Sequence, residues 1–197
     1  MKEDRQSGFS LAECLITIAI ATIVLASLAG SFRVQQKTYS VQTQLTEMTE
    51  NARAVMDTIA REIRSAGYNP ARATTFNGVP YNANTAVLDL YQDLDGNGTI
   101  SGANERITYT YSSANKEVTR NGNDGGGAVS FLNNVTAFSV AYFDRAGAAT
   151  TTTANIRAVR ISLTVRTSQI DPTWPHDGGY RFTSLNETVS VKNLLYQ

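Results

Sequence analysis

Oxygen-bearing side chains recur at every second position in Asp93-Leu94-Asp95-Gly96-Asn97-Gly98-Thr99-Ile100-Ser101. Carboxylate, amide and hydroxyl oxygens are hard ligands, so this spacing points to a hard divalent cation, calcium above all. Gly96 supplies a sharp bend, Thr99 a main-chain carbonyl and Ile100 an apolar residue, as in the first part of an EF-hand-type loop. The end of the loop departs from that pattern. Its twelfth position is Asn104, the carboxylate Glu105 comes one residue later, and the flanks read as strands. The candidate ligands are therefore Asp93, Asp95, Asn97, Thr99, Ser101 and Glu105. The competing reading is a hairpin loop that uses Asp-Gly and Asn-Gly because those pairs turn well.

A second carboxylate, Glu13, stands at the edge of a very different environment. Residues 14–32, CLITIAIATIVLASLAGSF, carry no charge. As a helix they span roughly 29 Å, the thickness of a bilayer's hydrocarbon core. Lys2 and Arg5 favour a cytoplasmic N-terminus, and Glu3, Asp4, Arg33 and Lys37 make that bias shallow. An ordinary secretory signal competes for this segment, since Ser27-Leu28-Ala29 offers small residues before Gly30 where a signal peptidase reads. Glu13 argues against it, because an ionisable group at the membrane end of an apolar run is costly and needs a partner.

The residues Gly8-Phe9-Ser10-Leu11-Ala12-Glu13 resemble the prepilin-processing motif of type IV pilins and type II secretion pseudopilins. The resemblance implies cleavage by prepilin peptidase between Gly8 and Phe9 and methylation of the new amine on Phe9. It gives Glu13 an assembly role, neutralising the N-terminal amine of a neighbouring subunit in an apolar filament core, where an unpaired charge costs several kcal/mol. It also implies other pilins and an inner-membrane assembly platform as partners, and a location in the bacterial inner membrane and the filament, with the head outside the cytoplasm. Major pilins commonly bend this helix with a proline; here the first proline is Pro70 and Gly30 is the soft point. That favours a minor pilin.

The elements that must position these groups follow from periodicity. Val41, Leu45, Met48, Ala52, Val55, Ile59, Ile63 and Ala66 recur at steps of three and four, so the helix continues past the membrane as an amphipathic one. Gly67 and Tyr68-Asn69-Pro70 end it. A separate coiled-coil stalk is disfavoured by the shortness and threonine content of the run. Beyond a polar loop, residues 87–91, 107–111, 137–143, 159–166 and 188–191 alternate as strands. The predicted fold is α+β and pilin-like, a long helix packed on an antiparallel sheet. The divisions are residues 1–8 (leader), 9–32 (transmembrane and filament-core helix), 33–67 (amphipathic continuation) and 68–197 (β-rich head). The helix end AREIRSAGY, the Asp-Gly-Asn-Gly loop and the strand near the C-terminus resemble PilW-like minor pilins, with J-class pseudopilins of type II secretion sharing the layout.

Composition excludes other classes. Lys+Arg and Asp+Glu are equal at 17 each, so no electrostatic attraction to nucleic acid is expected. Cys14 is alone and reads as a small apolar helix residue. His176 lies in a loop without a nucleophile beside it, and Trp174 reads as a packing residue. No catalytic set and no required cofactor is expected. A membrane-tethered, calcium-dependent adhesin and a secretion or DNA-uptake pseudopilin remain the rival readings.

Overall fold

A computed structural model describes residues 10–72 and 75–194. The chain divides into two compact units, residues 1–43 and 44–197. One helix, α1 (Leu11–Ser65), runs through the division.

In the first unit α1 buries nothing, and over residues 14–32 it is apolar on every side: Ile23 is 70% exposed and Phe32 60%. A helix without a polar face has no single direction in which to hide, which is the pattern of a span or a fully surrounded helix. In the second unit the same helix carries a one-sided stripe. Met48, Ala52, Val55, Met56, Ile59, Ala60 and Ile63 are buried, at the predicted three-and-four spacing, with Met56 and Ala60 widening the face. Gly67, at φ 79°, turns the chain out of the helix, and its N–H bonds the Tyr91 carbonyl at 2.8 Å. Gly78 passes so close to this corner that a Cβ there would lie 2.2 Å from the Gly67 nitrogen.

Among the described residues seven strands follow: β1 (Val87–Tyr91), β2 (Arg106–Ser112), β3 (Glu117–Asn121), β4 (Ala128–Asn133), β5 (Val135–Phe143), β6 (Ala158–Arg166) and β7 (Phe182–Ser190). They form two antiparallel sheets, β1-β2-β3-β4 and β5-β6-β7, where the sequence suggests one. The division falls on Asn134, which sits between β4 and β5 at φ 60° and lets the chain leave one sheet and start the other. Strands β3 and β4 escape sequence reading because they bury only one residue each, Val118 and Leu132. The last strand is also longer than its apolar residues suggest, with only Val189 buried.

The core joins the inner faces of both sheets to the helix stripe. Leu88, Leu90, Ile107, Tyr109 and Val118 come from the first sheet, and Phe138, Val140, Ile161, Leu163 and Val165 from the second. Ile59 and Ile63 are fully buried among them, each burial stabilising the fold by about 1.5–3 kcal/mol.

Candidate functional site

Gly8 and Phe9 lie outside the described residues. The helix begins just after them, and Glu13 closes its first turn. The Ser10 N–H donates to Glu13 Oε2 at 2.9 Å, and the Glu13 N–H donates to Ser10 Oγ at 3.3 Å. This reciprocal capping box satisfies donors that no helical carbonyl can reach. It holds the carboxylate back over the N-terminal end of the helix, one residue from the proposed new amine. Ser10 is a capping residue that the motif reading passes over, although the Ser-x-x-Glu signature is visible in the sequence.

Every described hydroxyl of the apolar run also looks inward. Thr17, Thr22, Ser27 and Ser31 donate to the carbonyls of Glu13, Ile18, Ile23 and Ser27 at 2.7–3.1 Å. Side chains that bond their own backbone need no water. By length and composition α1 can cross a membrane. Cys14 is exposed on it.

In the head, the Asp93 loop folds around its own carboxylates. Asp93 is fully buried and Glu105 1% exposed. Asp93 accepts the Gly96 and Gly98 N–H groups at 2.8 and 3.0 Å. Glu105 accepts those of Leu94, Asp95 and Gly102 at 2.9, 3.3 and 2.6 Å. One oxygen each from Asp93, Asp95 and Glu105 lies within 4.8 Å of the others. The structure thus returns Glu105 to the cluster despite its late position. Gly102 permits this approach, since a Cβ there would meet Glu105 Oε2 at 2.7 Å.

Asn97 meets the carboxylate cluster as a donor, its backbone N–H and Nδ2 bonding Asp95 Oδ1 and Oδ2 at 3.0 and 2.7 Å. The Asn97 carbonyl oxygen is taken by the Thr99 N–H and hydroxyl at 2.7 and 2.6 Å, and the Thr99 and Ser101 hydroxyls bond each other at 3.0 Å. No ion pair reaches the three carboxylates among the described residues. At the loop's base Gln92 gives an N–H to the Asn104 carbonyl at 2.7 Å, while its Oε1 is buried without a hydrogen-bond partner.

The loop's far end is tied to the helix by a polar network that the sequence does not announce. Tyr109 Oη donates to Glu62 Oε2 at 2.5 Å. Arg120 reaches Glu62 Oε1 through Nε at 3.1 Å and Nη2 at 2.8 Å, and its Nη2 also reaches Asn104 Oδ1 at 2.9 Å. Burial, and then the Glu62 carboxylate, push the Tyr109 hydroxyl well above its ordinary pKa. The group therefore stays protonated and donates.

The loop between β6 and β7 shows no catalytic arrangement. His176 is exposed, its ring 5.1 Å from that of Trp174. The Arg181 guanidinium lies 4.2 Å over Trp174 and pairs with Asp171 at 2.8 Å. The Thr173 hydroxyl and then Arg181 hold Asp171 down at about 2.

Comparison with known proteins fits this division of labour. A family described as prepilin peptidase-dependent protein B matches residues 41–190, and the prokaryotic N-terminal methylation motif matches residues 4–29. Among solved structures, a type IV-like pilin from Thermus thermophilus is similar with a TM-score of 0.49 and 13% identity, over 74% of this chain and 97% of that one. No curated protein sequence matches. Pilin-like families are structural subunits, not enzymes. Because one match accounts for most of the head and the other for the start of the helix, this chain belongs to the prepilin peptidase-dependent protein B family of type IV pilin-like proteins.

Proposed function

We propose that the chain is a minor pilin of the PilW type. It is cut between Gly8 and Phe9, methylated on Phe9, held in the bacterial inner membrane with its head outside the cytoplasm, and passed by the assembly platform into a type IV pilus beside other pilins. The observation that carries this is that every described residue of the apolar first part of α1 is exposed, Val24 by 50% and Leu11 by 80% at the extremes of its large apolar side chains. So much apolar surface needs lipid before assembly and other subunits after it. Glu13 then meets a neighbour's amine from the end of its own capping box. In a piliated strain, Glu13→Ala should lower recovery of the chain in sheared filaments at least tenfold while its membrane level holds. Equal recovery contradicts the proposal. If deleting the chain abolishes protein secretion or DNA uptake and leaves pili intact, the machine is a pseudopilus.

The carboxylate loop supports a second proposal, calcium binding by Asp93, Asp95 and Glu105. Two buried carboxylates without a basic partner, and the orphaned Gln92 Oε1, are the supporting observations. A buried polar atom without a partner calls for a water or an ion. The loop's own hydrogen bonds mean that the head does not depend on the ion to fold. Calorimetry of the full chain in detergent should give a calcium-dependent heat that Asp95→Ala removes. The absence of heat in the parent contradicts calcium binding and leaves the filament proposal standing.

A further inference from the structure

The two sheets have four edges, and they are not treated alike. Strand β1 is covered: the Tyr91 N–H bonds the Gly78 carbonyl at 2.8 Å, and its carbonyl takes the Gly67 N–H. Strand β5 is covered as well, the Val140 N–H bonding the Thr85 carbonyl at 2.9 Å and the Tyr142 carbonyl taking the Thr150 N–H at 3.0 Å. Strand β4 is open but short, six residues, with a register shift in its pairing to β3. Shortness and bulges are two of the devices that keep an edge from recruiting another strand.

Strand β7 has neither device. It runs nine residues, FTSLNETVS, without proline, lysine or register shift against β6. The direction of its backbone groups follows from the pairing. The Thr167 N–H donates to the Arg181 carbonyl and the Val191 N–H to the Arg157 carbonyl. Both pairs extend the β6–β7 register at either end, so Thr183, Leu185, Glu187 and Val189 point their backbone groups at β6. Phe182, Ser184, Asn186, Thr188 and Ser190 point theirs away, and none of these backbone groups has a partner among the described residues. All five are exposed.

We propose that β7 is a docking edge completed by an extended strand from a neighbouring subunit of the same filament. The partner is defined by chemistry: a backbone in strand conformation to meet the five unpaired residues. Its alternate side chains should be apolar, because on the inner face they fall beside the half-buried Leu185, which packs on the core. The only charge on β7, Glu187, is already engaged by Arg64 at 3.3 Å, so no charged partner is demanded. The inference rests on the filament proposal and adds the contact by which the head is held.

The two phases of the strand give the test. Proline at Ser184, Asn186 or Thr188 removes an outward donor and leaves every backbone bond to β6 in place, the one setting in which a strand tolerates proline; at Asn186 no side-chain bond to β6 is lost, whereas Ser184 and Thr188 also give up bonds to Thr164 and Arg160. Proline at Leu185 breaks the ladder and serves as the unfolding control. In full-length chain, Asn186→Pro and Ser184→Pro should keep the parent's melting profile in detergent and lower recovery in sheared filaments at least tenfold. Parent-like recovery of both overturns the proposal. Should either proline alter folding, a photo-crosslinking residue decides: placed at Asn186 it should join the chain to another filament subunit, and placed at Ser139 on the outer face of β5 it should not. The absence of an Asn186 crosslink in intact filaments that contain the chain overturns docking. Failure of the filament proposal is read separately, as parent-like recovery of Glu13→Ala.

Discussion

The two parts of α1 share one secondary structure and almost nothing else. In residues 11–43 the apolar side chains point in all directions and touch solvent; in residues 44–65 they form one stripe and are covered by the chain's own sheets. Hydrogen bonding is satisfied in both, so what differs is where the apolar surface finds its cover. The second part finds it within the chain and sets the stability of the head. The first part finds none among the described residues of the chain, and by length and composition it can cross a membrane.

Substitutions that respect this difference should separate cleanly. The largest effect on the head is expected from Ile59→Ala, which empties a fully buried site and costs about 2–5 kcal/mol. Ile23→Ala, a comparable truncation on the exposed part, should leave the melt unchanged. Thermal unfolding in detergent reads both, and a matching loss at the two sites contradicts a difference in how the two parts of α1 are covered. Next is Glu62→Ala, which strands the Tyr109 hydroxyl and the Arg120 guanidinium in a partly buried setting and should cost about 3 kcal/mol. Gly102→Ala should follow, at about 1–2 kcal/mol, because its methyl group displaces Glu105 from the N–H groups it holds. The same variant should also abolish any calcium-dependent heat.

The smallest effect is one of pH. Asp171 is held down at about 2 from an ordinary 3.8, so its contribution to stability is complete above about pH 4 and is lost as pH falls toward 2. Asp171→Asn should therefore melt below the parent at pH 6 and together with it near pH 2. A gap that widens on acidification contradicts that assignment.

Much of this was legible from residue order because the signals were local. The apolar run, the three-and-four stripe, the helix stop at Gly67 and the alternation in β2 and β6 each lie within a short window. The Glu62, Tyr109 and Arg120 network was not legible, since its members lie 47 and 58 residues apart and meet only when the sheet closes on the helix. Strands β3 and β4 were hidden for another reason: with a single buried residue each, their pattern resembles that of a polar loop. The Ser10 cap was legible as well, since Ser-x-x-Glu ahead of an apolar run is a local signature, but the same glutamate also fits the processing motif.

If the exposed part of α1 is a processed filament helix, as we propose, mass spectrometry of the mature N-terminus will show it. The expected result is a chain beginning at N-methylated Phe9; a chain beginning at Gly30, or one still carrying Met1, contradicts it.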